Sequence, residues 1–224
     1  MALSEHHLPV SRTARYVMLG GAGDSVREVW VVCHGYGQRA VRFARGFEAI
    51  ATDARRIVAP EALSRFYLDP PGGESHGTAR VGASWMTRED RQAEINDYVE
   101  YLDALWRQVK PPSDDVRLIA FGFSQGAATA ARWAALGSAR PSLLVLWGGS
   151  MPRDLLAGQP LARLGAIPLV LVAGRDDRFA PDAAVEEEER VLRGHGLDPR
   201  MMRFEGGHGL DAAVLESLAG EPTA

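Results

Sequence analysis

Short apolar runs rich in Val, Leu and Ile alternate along this chain with longer segments of helical periodicity, and Gly or Pro separates them. Two successive strands that run the same way need a crossover to bring the chain back, and a helix supplies it, so this alternation restricts the fold to a mostly parallel sheet covered by helices. Val29-Trp-Val-Val-Cys33 is an unbroken apolar run, the mark of a strand buried on both faces. Further strands are expected over residues 56–59, 116–121, 143–147, 168–173 and 200–204, with helices over 42–52, 90–109, 125–136 and 181–193. Residues 15–19, joined to the first run through Gly20-Gly-Ala-Gly-Asp24, are expected to pair with it as an antiparallel hairpin at the sheet edge. The stretch from 60 to 88, rich in Pro, Gly and polar residues, reads as an irregular loop over the site.

A chain of 224 residues is long enough to bury its own core, and one α/β domain is expected over 1–224, with 1–12 as a flexible tail. Lys and Arg number 25 against 29 Asp and Glu, for a net charge of −4 with no long block of either sign, which argues against a nucleic-acid partner. The acidic run Glu186-Glu-Glu-Glu189 lies in an expected helix where Arg190 and Arg193 can pair with it, so it reads as a solvated face. The lone Cys33 leaves no disulfide framework and no multi-cysteine metal site, and points to a reducing, cytoplasmic setting. The apolar runs are too short to cross a bilayer, and residues 1–9 lack the apolar stretch of a signal peptide, so no integral membrane association is expected.

Chemistry concentrates in Gly122-Phe-Ser-Gln-Gly126, set between an expected strand and an Ala-rich helix. This G-x-S-x-G pattern is a nucleophile elbow in its required context, a sharp turn in which side chains at either glycine would collide with backbone while the Ser124 hydroxyl is lifted clear. A serine hydroxyl needs a base to take its proton and a carboxylate to orient that base. Of the six histidines, only His195 and His208 follow both the serine and a plausible acid loop. His195, in Gly194-His-Gly196, reads as a helix cap. His208, in Gly206-Gly-His-Gly209 just after a strand, stands at the same carboxyl edge as Ser124 and is the expected base. For the acid, Asp176 and Asp177 compete in Gly174-Arg-Asp-Asp-Arg-Phe-Ala-Pro181, and periodicity does not choose between them; Glu205 reads as an exposed strand-end residue. The oxyanion hole is expected from the backbone N–H groups of Gln125, at a helix N-terminus, and Tyr36, in His34-Gly-Tyr-Gly37. His34 reads as a holder of that loop, and Cys33 as a buried hydrophobe.

Together, His34-Gly-Tyr-Gly37, Gly122-Phe-Ser-Gln-Gly126, the loop from Gly174 to Pro181 and Gly207-His-Gly209 resemble the α/β-hydrolase carboxylesterase/phospholipase family that includes acyl-protein thioesterases. The resemblance spans nearly the whole chain and implies an α/β-hydrolase fold without a separate lid domain. It places the acid at Asp177, because the family loop runs Gly, two residues, Asp, two residues, a small apolar residue and Pro. It also sets Trp85 beside the acyl site. The chain departs from the family at Gln38, where Asp is frequent, and across residues 62–87. The expected activity is hydrolysis of carboxylic esters or thioesters of small to medium acyl chains through Ser124, His208 and Asp177, with Trp85 and Phe179 as pocket walls. The alternatives are a lysophospholipase or acyl-protein thioesterase and, from another class, a binding protein on the same fold. No cofactor or metal is expected, since there is no H-E-x-x-H helix, no P-loop and no dinucleotide fingerprint; the expected partner is a small-molecule ester.

Overall fold

The computed structural model describes residues 2–69, 79–113 and 115–220. Its main sheet has seven strands in the order β1-β3-β2-β6-β7-β8-β9. They are β1 (Tyr16–Gly20), β2 (Glu28–Cys33), β3 (Arg55–Pro60), β6 (Arg117–Phe123), β7 (Leu143–Trp147), β8 (Leu169–Gly174) and β9 (Arg200–Phe204); a separate pair comprises β4 (Ser64–Tyr67) and β5 (Val81–Ser84). All neighbours in the main sheet are parallel except β1 and β3.

Every residue of β2, β7 and β8 is buried, which is why these segments read as continuous apolar runs. Side chains of β2 alternate between two cores. Val29, Val31 and Cys33 enter one, shared with Tyr98 and Leu102 of α2 (Arg91–Val109), Trp133 of α3 (Gln125–Leu136) and Leu192 of α5 (Asp182–Gly194). Trp30 and Val32 enter the other, shared with Phe43 of α1 (Ala40–Ala44), Phe47 and Ile50 of the 3-10 turn that follows it, and Leu215 of α6 (Ala212–Gly220). Each large apolar side chain buried in this way contributes about 1.5–3 kcal/mol relative to exposure. The charge inside the sheet is compensated: the buried Glu28 carboxylate meets Arg55 and Arg117 and accepts the Trp30 indole N–H.

Three sequence expectations are corrected. The first concerns β1, which lies at the edge and is antiparallel but pairs with β3, Tyr16 opposite Pro60, and not with β2. The connection from Gly21 crosses the start of β3, where the Gly21 N–H bonds to Thr52 and Arg27 bonds to Ala54, so the chain enters β2 on the far side of β3. The second is the helix over 42–52: it is α1 followed by a 3-10 turn, Arg45–Ile50. Gly46 disfavours continuation of the α-helix there. The third concerns 60–88, which holds the antiparallel pair β4 and β5, Ser64 opposite Ser84 and Tyr67 opposite Val81, while its central residues, including His76, lie outside the described residues. Neither Ser-Arg-Phe-Tyr nor Val-Gly-Ala-Ser carries a strong strand pattern alone; their pairing and their docking on the His34 loop supply what propensity does not. The sequence also left unread α4 (Gly158–Leu164) and α6.

Candidate active site

The strand β6 runs two residues further than its apolar pattern suggested, through Gly122 and Phe123, and Ser124 then turns the chain directly into α3. Ser124 has φ 53° and ψ −118°. A side chain in this positive-φ region costs on the order of 1–3 kcal/mol, so the surroundings must impose it. They do so by close packing. A Cβ on Gly122 would lie 2.1 Å from the Gly126 carbonyl oxygen, and a Cβ on Gly126 would lie 2.1 Å from that of Cys33. The start of α3 is thereby pressed against the end of β2, and the Ser124 N–H is tied to the Trp147 carbonyl at 2.8 Å.

Beside the elbow lies the loop that follows β2. His34 is fully buried; its Nδ1–H donates to the Gly35 carbonyl at 2.8 Å, and its Nε2 accepts the Ala62 N–H at 3.1 Å. Burial pushes the imidazole below its ordinary pKa, only partly opposed by the Gly35 bond and the Glu61 charge, so it is held neutral. Gln38, where the sequence departs from the family, accepts the Gly35 N–H on its Oε1 at 2.8 Å, and the Gly37 N–H donates to Ala83 of β5. The Tyr36 N–H has no acceptor among the described residues. The N–H of Gln125, first residue of α3, has none within its helix, as for any first-turn amide. These are the two groups expected to receive an oxyanion. The Gln125 side chain adds a clamp that the sequence did not reveal: its Oε1 accepts the Trp85 N–H and its Nε2 donates to the Met86 carbonyl.

Across the site, His208 Nδ1 meets Asp177 Oδ2 at 2.7 Å. Asp177 is 2% exposed, and its other oxygen accepts the Phe179 N–H at 2.8 Å. The neighbouring Asp176 is exposed and takes no part in this pairing. The His208 ring is held between Phe123 and Phe179, each with its ring centroid 4.8 Å away. Because Phe123 directly precedes Ser124, the imidazole packs, tilted by 40°, against the elbow itself. Two further contacts fix it. Trp147 donates its indole N–H to the Gly209 carbonyl, and Gly148 leaves room for the ring, since a Cβ there would sit 3.1 Å from the imidazole and 3.4 Å from the Asp177 carboxylate. The signal for Gly148 was available as a Gly-Gly pair directly after β7, but only the assembled sheet brings β7 beside β8.

The remaining candidates fall in distinct places. Phe179 is 72% exposed and forms a lip over His208. Trp85, expected in the pocket wall, is 2% exposed: its indole N–H donates to the His34 carbonyl, and its ring packs on His34 and Tyr98. It braces the loop that begins at His34. His195 caps α5 through its bond to the Val191 carbonyl, and Glu205 is an exposed partner of Arg175. Burial pushes the Cys33 thiol far up, so it offers no thiolate. Among the described residues, no group of three or more His, Cys, Asp or Glu could hold a metal, and no helix is long and apolar enough to cross a membrane. A cleft of about 990 Å³ opens beside His208, lined by Gly37, Gln38, Phe123, Leu68 and Val81 among others.

Comparison with known proteins agrees with this architecture. No curated protein sequence is significantly similar to the chain. Among solved structures, acyl-protein thioesterase 2 from Zea mays superposes with a TM-score of 0.70 at 19% identity, covering 92% of this chain and 96% of that one. A carboxylesterase from Mesorhizobium loti gives 0.67 at 18% identity over 93% and 95% of the two chains. The Bacillus cereus carboxylesterase gives 0.63 at 19% identity, over 92% of each. At these identities the likeness establishes the fold. The family model described as phospholipase/carboxylesterase matches residues 19–220, a span that holds the elbow, the Asp177 loop and the His208 loop, and the chain belongs to that family of α/β hydrolases.

Proposed function

We propose that this protein is a serine hydrolase that cleaves carboxylic esters or thioesters through a covalent acyl-enzyme, with Ser124 as nucleophile, His208 as base and Asp177 as the orienting acid. The observation that carries this reading is the Asp177–His208 pair at 2.7 Å, its carboxylate buried and its imidazole packed on Phe123, the residue before a serine held in a strained turn. With Nδ1–H committed to Asp177, the imidazole presents Nε2 as its basic nitrogen. Ser124 Oγ attacks the carbonyl carbon as its proton passes to His208 Nε2. The carbonyl oxygen becomes an oxyanion, met by the Tyr36 and Gln125 N–H groups. Collapse of the tetrahedral intermediate breaks the bond to the alcohol or thiol, which leaves with the proton from His208. Water repeats the sequence on the acyl-enzyme, releases the acid and restores Ser124.

The exposed lip at Phe179 and the open cleft support small to medium acyl chains, since each further methylene adds about 0.8 kcal/mol only while it leaves water. The test is labelling with a fluorophosphonate probe together with turnover of p-nitrophenyl esters of increasing chain length. The wild type should label at Ser124, and Ser124→Ala should lose labelling and at least roughly a thousandfold of kcat with its melting temperature nearly unchanged. Labelling elsewhere, or undiminished turnover in Ser124→Ala, would overturn the reading.

A further inference from the structure

The cleft beside His208 carries a charge pattern that the hydrolytic reading leaves unused. Arg39, Arg42 and Arg45 all line it, spaced three residues apart through the start of α1 and into the following 3-10 turn. All are exposed, and none has a carboxylate partner among the described residues, nor does any carboxylate among those residues line the cleft. Arg80, the fourth arginine there, is bound through its guanidinium to Asp69. Arg15, Arg55, Arg117, Arg132 and Arg153 each pair with a Glu or Asp, and Arg27, Arg56, Arg140 and Arg163 bond to backbone carbonyls; Arg39, Arg42 and Arg45 are distinguished by lining one cleft together. In a chain of net charge −4, three like charges spaced three residues apart, without a carboxylate partner among the described residues, disfavour one another, and an anion in the cleft would relieve that repulsion. Guanidinium forks match carboxylate and phosphate oxygens in geometry as well as charge. The same cleft is also lined by apolar Leu68, Val81 and Phe123 and by His208.

We propose that Arg39, Arg42 and Arg45 form a substrate-anchoring site, and that the preferred ester carries a carboxylate or phosphate joined to the scissile carbonyl by a short apolar spacer. This deepens the serine-hydrolase reading and rests on it. The anion and the reacting carbonyl are held at opposite ends of one cleft, so the arginines select substrate without touching the reacting atoms.

Paired esters that differ in charge test the site. In one arm, mono-p-nitrophenyl glutarate is compared with p-nitrophenyl valerate, which places the anion on the acyl side. In the other, para-acetoxyphenyl phosphate is compared with para-methoxyphenyl acetate, which places it on the alcohol side. The wild type should favour the anionic member of at least one pair by about tenfold or more in kcat/KM, mainly through KM, and the preference should shrink with added salt. The triple variant Arg39→Gln/Arg42→Gln/Arg45→Gln should bring that ratio to within about twofold of unity, and Arg42→Glu should carry it further toward the neutral ester. Circular dichroism on both variants checks that these surface changes leave the fold intact. Equal rates within both pairs, or a preference that survives in the triple variant, would overturn the proposal while ester turnover and Ser124 labelling leave the hydrolase reading standing. Absence of both turnover and labelling would remove that reading, and this one with it.

Discussion

His34 and His208 stand at the ends of two loops on the same edge of the sheet, and both are locked by hydrogen bonds, yet only one has a nitrogen to spare. His34 uses Nδ1 on the Gly35 carbonyl and Nε2 on the Ala62 N–H, is sealed from water, and has Trp85 against its ring. His208 spends Nδ1 on the Asp177 carboxylate, and its ring packs against two aromatic rings beside the cleft. A histidine bonded at both nitrogens to backbone serves architecture, since protonating Nε2 would set one N–H against another. A histidine bonded at one nitrogen to a carboxylate is prepared to take up and release a proton. The contrast assigns His34 to shaping the loop that carries Tyr36, and His208 to the proposed proton transfer.

Substitution at the two positions should separate these roles by kind as well as by size. His208→Ala is expected to lower kcat roughly a thousandfold while the chain remains folded by circular dichroism. His34→Ala is expected to cost about 1–3 kcal/mol in denaturant unfolding, because it leaves the Ala62 N–H and the Gly35 carbonyl without their buried partner. An unstable His208→Ala, or a stable but inactive His34→Ala, would reverse the assignment.

The acid loop offers a sharper test with a smaller effect. Asp177→Asn keeps the shape but replaces the anion that fixes the imidazole tautomer, and is expected to lower kcat by roughly a hundredfold or more. Asp176→Asn, on the exposed neighbour, should leave kcat within about threefold. Equal losses would break the pairing seen at 2.7 Å as the basis of function.

The smallest effect is on stability against pH. Burial holds His34 below its ordinary pKa, so on acidification the unfolded chain binds a proton near pH 6.5 that the folded chain still refuses. The unfolded state then carries more protons, and stability from this site, complete at higher pH, declines as pH falls below that value, by at most about 1.4 kcal/mol per unit. Denaturation midpoints measured at about pH 7.5 and about pH 5.5 should therefore diverge in the wild type and diverge less in His34→Gln. An unchanged divergence would place the acid sensitivity elsewhere.

Much of this arrangement was legible along the chain because its signals are local. A buried parallel strand must be apolar at every position, as in Val29 to Cys33 or Leu143 to Trp147, and the elbow needs small residues at fixed offsets from Ser124. What was not legible depends on distant segments. The β4–β5 pair is made by register between weak strands, β1 finds β3 because the connection crosses beneath it, and Trp85 is buried because His34 offers it an acceptor.

The sequence by itself determined the parallel α/β sheet, the turn at Ser124 and the short list of candidate bases and acids, because strand burial, tight turns and residue chemistry act over a few bonds. The family resemblance had already placed the acid at Asp177; only the tertiary structure decided the 2.7 Å contact it makes with His208, that Gly148 makes room for that pair, and that Arg39, Arg42 and Arg45 share a cleft with His208. Hydrogen bonds and clefts are set by distances through space, and those distances exist only once the strands have been placed side by side.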